Sequence, residues 1–68
     1  MDSRPRLTRA LIEMLEMSDN HDTLRAKELA LLLTKSHHTV EKQWELIIKR
    51  YEAHGRWEAR EKWRASKE

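Results

Sequence analysis

Residues 40–51, with the sequence VEKQWELIIKRY, decide the fold of this chain. Apolar side chains recur there in the i, i+4, i+7, i+8, i+11 series, which at about 100° per residue places them on one face of a helix. A helix with a single apolar face needs other elements to cover it. The members of this face are Val40, Trp44, Ile47, Ile48 and Tyr51.

Three further segments have the helical period, whereas no stretch alternates with the period of a strand. Polar residues 18–22 separate the first segment from the second, and Asp22 or Thr23 can cap the second helix. Residues 34–37 form a short turn, and Gly55 stands where a left-handed residue would end the third helix. We predict an all-α bundle of three to four helices. The inward residues expected in the first two helices are Leu7, Leu11, Met14, Leu15, Ala26, Leu29, Ala30 and Leu33.

Length and composition exclude several classes of protein. With 68 residues, the chain is one domain, 1–68, and it buries only about 60% of its unfolded surface. An enzyme is not expected, because no nucleophile and base have an interpretable spacing. Cysteine is absent and the four histidines form no facial ligand set, so we expect no metal and no cofactor. No apolar run is long enough for a membrane span or a signal peptide, so a cytoplasmic protein is predicted.

The charge distribution is uneven along the chain, although the net charge is only +2. Residues 1–34 hold five basic and six acidic groups, whereas residues 35–68 hold nine basic and six acidic groups. A nucleic-acid site requires such a positive excess, but this excess is smaller than that of a typical DNA-binding protein.

A longer series of side chains surrounds the third helix. It consists of Lys27-Glu28-Leu29-Ala30, Leu33, Ser36, Thr39-Val40, Ile47, Arg50, Gly55-Arg56 and Glu58-Ala59. This series resembles the helix-turn-helix of the LuxR/GerE class of bacterial DNA-binding domains, whose pattern is roughly KEIA, L, S, TV, I, KL and GR-x-EA. The resemblance covers about half the chain. It implies a LuxR-like helix-turn-helix at about residues 24–54, a fourth helix with a frayed tail at 57–68, and a regulator of transcription.

The outward face of the third helix is the candidate DNA-binding surface. A helix of this width fits the major groove, where residues near its N-terminus reach base edges. His38 and Lys42 are candidates for base contact, and Thr39, Lys49 and Arg50 are candidates for phosphate contact. The alternative is a charged face that is only solvated. The full candidate set is Ser36, His37, His38, Thr39, Glu41, Lys42, Glu45, Lys49, Arg50 and Arg56.

The resemblance also implies a homodimer on double-stranded DNA, formed through the fourth helix. Ala59 and Trp63 are the predicted dimer contact, although Trp63 could instead cap the core, and Trp57 is expected to pack on the core. Leu31 and Leu32 replace the polar residues usual in the family. Either the first helix or the tryptophans cover these leucines, or they form an apolar patch for a protein partner.

A rival function is a protein-interaction module with the same fold. It would bind a polymerase subunit, a sigma factor or another regulator, and no small-molecule ligand is evident. Members of the family usually have a receiver or ligand-binding domain before this module. Since none is present, we expect a stand-alone regulator or a fragment of a larger one. The residues available to such a partner are Leu31, Leu32, Leu46 and Trp63.

Overall fold

A computed structural model of the chain describes residues 6–67, and the ends of the predicted domain, residues 1–5 and 68, lie outside this range. The described residues form an all-helical domain, as predicted. Its helices are α1 (Arg9–His21), α2 (Ala26–Leu33), α3 (His37–Arg50) and α4 (Arg56–Lys67). None of these helices combines the length and the apolar character that crossing a bilayer requires.

The core lies where the apolar stripes of the four helices meet. The predicted inward face of α3 is confirmed, because Val40, Trp44 and Ile47 are buried and Tyr51 is nearly so. Leu7, Leu33 and Ile48 are only partly buried at the edge of the core. α2 packs most extensively on α3, and α1 contacts the other three helices. The buried apolar residues from the first two helices are Leu11, Met14, Leu15, Ala26, Leu29 and Ala30.

The connection between α1 and α2 is more ordered than a polar break suggests. Asp22 ends α1 in the left-handed conformation, with φ of 48°. The N-cap of α2 is Arg25, so the prediction that Asp22 or Thr23 occupies this position is wrong. Thr23 still supports the helix start, since its Oγ1 accepts from Arg25 N–H at 3.2 Å and donates to Glu28 Oε2 at 2.9 Å.

The end of α3 differs from the prediction at Gly55. The left-handed residue after this helix is Glu52, with φ of 52°, and Gly55 does not have a positive φ. Gly55 instead precedes α4, where its carbonyl accepts from Ala59 N–H at 3.0 Å. The earlier position of the left-handed residue lets Ala53 N–H reach Ile48 O at 2.9 Å, which satisfies a carbonyl at the helix end.

The fourth helix buries a different face from the one predicted. Ala59 and Trp63 lie in the core, so the prediction that they form a dimer contact is wrong. Trp57, which was expected to pack on the core, is 60% exposed. The helix extends to Lys67. These placements follow from packing, because the face that α4 turns toward α1 and α3 contains Ala59, Arg60 and Trp63.

Arg60 is a charged residue inside this core, with only 1% of its surface exposed. Its guanidinium donates to Ser18 O at 3.3 Å and to Asp22 Oδ1 at 3.2 Å. It also lies over the ring of Trp57, 5.1 Å from the ring centroid. Burying a guanidinium is costly, but these contacts and the negative end of the α1 dipole offset part of the cost. Arg60 therefore ties the C-terminal turn of α1 to α4.

We expect Arg60→Ala to lower the free energy of unfolding by about 2–5 kcal/mol, because it leaves a cavity and removes the contacts at the end of α1. Arg64→Ala is the matched control, since Arg64 lies one turn along and is partly exposed. Its loss should be clearly smaller. Urea denaturation of both variants measures the difference, and equal losses would mean that Arg60 is not the internal tie between these helices.

The left-handed position provides a second prediction. An added Cβ at Gly55 meets nothing within 4 Å, and Ser caps helices at least as well as Gly, so Gly55→Ser should change stability by less than about 0.5 kcal/mol. Glu52→Gly should stabilise the domain by up to about 1 kcal/mol, because it relieves left-handed strain. Thermal melts test both. A loss above about 1 kcal/mol for Gly55→Ser would show that Gly55 is the left-handed residue.

Candidate nucleic-acid interface

A three-residue turn, residues 34–36, joins α2 to α3. Thr34 is left-handed, with φ of 56°, and Lys35 N–H donates to Ala30 O at 2.9 Å. Ser36 then caps α3, because its Oγ accepts from Thr39 N–H at 3.1 Å. Both helix ends are therefore satisfied within a few residues. The tight turn sets the direction of α3 relative to α2.

The outward face of α3 is open to solvent along its whole length. Opposite the buried stripe, one side of the helix presents lysines at two positions, Lys42 and Lys49. The structure shows no ion pair for either lysine within residues 6–67. Their ammonium groups can therefore bind an anionic partner without first breaking an internal pair. The exposed residues of the candidate set on this helix and its cap are Ser36, His37, His38, Thr39, Lys42, Glu45, Lys49 and Arg50.

Carboxylates on α3 reduce the positive charge of this face. Glu41 is half-buried, and its Oε2 lies 3.8 Å from His37 Nε2. Glu45 is exposed beside the lysines. A carboxylate is repelled by phosphates, but it can accept a hydrogen bond from the N4 amine of a cytosine in the major groove. The face is thus suited to contacts with base edges at its centre rather than to phosphate binding alone.

The two candidate arginines both make internal contacts. Arg50 remains exposed while its Nη1 donates to Arg6 O at 2.8 Å. Arg56 is half-buried: it donates to Leu24 O at 3.0 Å, and its guanidinium lies 5.9 Å from the centroid of the Trp44 ring. Arg56 thereby holds the start of α4 against the segment before α2. We do not retain it among the proposed phosphate contacts.

Most of the remaining basic residues of the C-terminal half are neutralised on α4. Arg60 pairs with Asp22, Lys62 pairs with Glu58 at 3.6 Å, and Arg64 pairs with Asp19 and Glu61. The hydrogen bond to Asp19 raises the pKa of Arg64. The positive excess seen in the sequence is therefore not available as one patch. Within the described part of this half, the basic residues without an ion pair or a packing role lie on α3 and the turn before it, and in the N-terminal half Arg9, Arg25 and Lys27 are also exposed without an ion pair.

Two of the four histidines, His37 and His54, pair with a carboxylate on the same face. His54 Nδ1 lies 3.3 Å from Glu58 Oε2, and this hydrogen bond lowers the pKa of the Glu58 carboxyl. The pairs His37–Glu41 and His54–Glu58 both have i, i+4 spacing, which the sequence itself contains. In the described part of the chain, no three potential metal ligands come together.

Apolar side chains are exposed on and beside this surface. Leu31 is 78% exposed at the end of α2, and Leu32 is partly exposed beside it. Of the two alternatives for this pair, coverage by α1 or a tryptophan therefore does not hold for Leu31, which is left as an exposed apolar side chain. On α3, Leu46 is 46% exposed and borders a shallow depression of about 450 Å³ with Lys42, Glu45 and Lys49.

The pattern of apolar residues in the sequence did not show which face of α4 is buried. Residues 56, 59, 60 and 63 follow the i, i+3, i+4, i+7 series of a buried helical face, but two of the four are arginines. Apolar spacing did not single out this face, because the long arginine side chains supply both the packing surface and the polar contacts.

Comparisons with known proteins add no assignment to this geometry. No protein-family model matches the chain, and no curated protein or solved structure matches it. The resemblance to the LuxR/GerE helix-turn-helix therefore depends on the quoted residues alone.

Proposed function

We propose that this chain is a sequence-specific DNA-binding domain of a transcriptional regulator, and that α3 enters the major groove. The observation that supports this most is the contrast between the two faces of α3. Its inward face is buried, whereas its outward face presents Lys42 and Lys49, which have no ion pair with any residue in the range 6–67. A two-helix unit with a tight turn and such an exposed second helix matches the way helix-turn-helix proteins contact DNA.

In this proposal the residues of α3 have different roles. Lys42 and His38 lie near the N-terminal half of the exposed face and contact base edges. Lys49 and Arg50 lie nearer its C-terminal end and contact phosphates, together with the hydroxyl of Thr39 at the start of the helix. Glu45 supports selectivity, because it can accept from a cytosine amine and is unfavourable elsewhere.

A homodimer remains part of the proposal, but its contact surface cannot be the buried pair Ala59 and Trp63. The two exposed leucines of α2, Leu31 and Leu32, are the apolar surface that we propose in their place. Two protomers joined there would occupy paired half-sites, and joining raises overall affinity by making the second contact effectively intramolecular.

The salt dependence of DNA binding tests this function. If a dimer neutralises about six phosphates, log K should fall against log salt with a slope of about −5. Lys49→Ala should weaken binding to all duplex sequences alike and reduce the magnitude of the slope by about 0.9 per protomer. Lys62→Ala is the control, because it removes the same charge from α4. Fluorescence anisotropy with labelled duplexes measures both effects.

Backbone amide shifts during the same titration locate the surface. Residues 36–50 should move together, whereas the α4 amides should change little. Absence of binding at low salt, or shifts confined to α4, would refute the proposed function. A loss with Lys62→Ala as large as that with Lys49→Ala would show that binding is not centred on α3.

A second candidate function is protein interaction, and the observation that favours it is the exposure of Leu31. Polymerase subunits, sigma factors and other regulators are the partner classes that this reading proposes. Small monomers seldom leave adjacent large apolar side chains open without a function. The two candidates differ in their ligand, since a protein-interaction module would give no α3 shifts with duplex DNA.

Self-association through α2 gives a further prediction. Leu31→Lys should weaken the dimer at least about tenfold, because it places a charge in an apolar contact. The melting temperature of the dilute monomer should stay nearly unchanged, since Leu31 is mostly exposed. Sedimentation equilibrium measures the association. A dimer that tolerates Leu31→Lys lies on another surface, and Trp57→Lys is then the next variant to measure.

A further inference from the structure

The outward face of α3 contains one large apolar side chain, Leu46, among charged and polar residues. Lys42 lies four residues before it and Lys49 three residues after it, so all three share one side of the helix. With Glu45 they border the shallow depression described above. A single exposed leucine is common on protein surfaces. The position of this one matters because the proposed function would insert it into the major groove.

The major groove has only one apolar feature at the base edges. Guanine and adenine present acceptors and a donor, cytosine presents an amine, and only thymine adds a methyl group at C5. A leucine pressed against a donor or acceptor would remove it from water without giving it a partner, which is unfavourable. A leucine against the thymine methyl buries apolar surface on both sides.

We propose that Leu46 contacts the C5-methyl group of a thymine, so that the preferred DNA site must contain thymine at the position facing Leu46. This inference rests on the proposed DNA-binding function and names the base that the same surface selects. Lys42 and Lys49, on either side of Leu46, then donate to neighbouring base acceptors and to phosphate oxygens. The depression between these side chains receives the methyl edge.

The flanking charges favour DNA over a protein partner for Leu46. Lysines on both sides attract an anionic ligand, and duplex DNA provides anionic phosphates around the only apolar base edge. Ile12 lies on α1, is 37% exposed and does not border this depression. It is therefore a matched control: it is a second exposed aliphatic side chain of the same domain, outside the proposed DNA and dimer contacts.

The experiment begins with selection of the preferred duplex from a randomised library by the 68-residue chain. Each thymine of the selected site is then replaced by deoxyuridine, which removes only the methyl group. Anisotropy titrations compare the duplexes. We expect one thymine position in each half-site at which the replacement weakens binding about fourfold, the loss that corresponds to one buried carbon of apolar surface.

Leu46→Ala assigns the contact to this side chain. The variant should bind the thymine duplex several-fold more weakly and should no longer distinguish it from the deoxyuridine duplex at the sensitive position. Ile12→Ala should keep the affinity and the full thymine preference of the parent protein. Because Leu46 is half exposed, the variant is expected to fold, and a thermal melt checks this.

The outcomes separate this inference from the proposed function. Specific, salt-dependent binding with no deoxyuridine-sensitive position overturns the role of Leu46 and leaves the DNA-binding function standing. A thymine preference that survives Leu46→Ala also overturns it, because another residue then contacts the methyl group. Absence of binding to every duplex overturns both. Loss of a protein contact with Leu46→Ala, without any thymine preference, assigns this leucine to the protein-interaction alternative.

Discussion

The guanidinium of Arg60, buried between α1 and α4, is the interaction on which the rest of this domain depends. It donates a hydrogen bond to Ser18 O at the end of α1, pairs with Asp22 and lies over the ring of Trp57. A buried cation is tolerated only where such contacts replace the water that it loses. Its Nε has no acceptor within residues 6–67, so the compensation is incomplete. Together with the packing of Ala59 and Trp63, this contact holds α4 against the end of α1.

The internal use of charge on α4 determines what is left for the surface. Arg60, Lys62 and Arg64 pair with acidic residues, and Arg56 is held by Trp44 and the Leu24 carbonyl. These pairs bind α4 to its neighbours or to itself. In the C-terminal half of the described residues, the exposed cations without such an ion pair lie on α3, whereas the corresponding cations of the N-terminal half include Arg9, Arg25 and Lys27. Because those basic residues of α4 make internal contacts and the lysines of α3 form no ion pair within residues 6–67, we propose α3 as the interface.

The turn between α2 and α3 determines how that interface is presented. Left-handed Thr34 and the Ser36 cap satisfy the backbone at both helix ends, so the turn needs no flexible loop. The same capping fixes the start of α3 beside its exposed histidines. Leu31 and Leu46 then remain on the surface of the two helices. Neither leucine belongs to the core, and we therefore propose that they contact other molecules.

The sequence by itself determined the helical class, the buried stripe of α3, the inward faces of α1 and α2 and the exposed DNA-binding candidates of α3. Apolar residues at helical spacing suffice for this, because each amphipathic helix must bury its apolar side. Only the tertiary structure decided the face of α4, the left-handed residue at Glu52 rather than Gly55, and the exposure of Leu31 and Trp57. Arg60 can be buried only where partners from α1 meet it, and no local pattern contains those partners. Whether a side chain is covered likewise depends on the packing of distant helices. For this reason Trp63, which was predicted as a dimer contact or a cap on the core, is buried in the core.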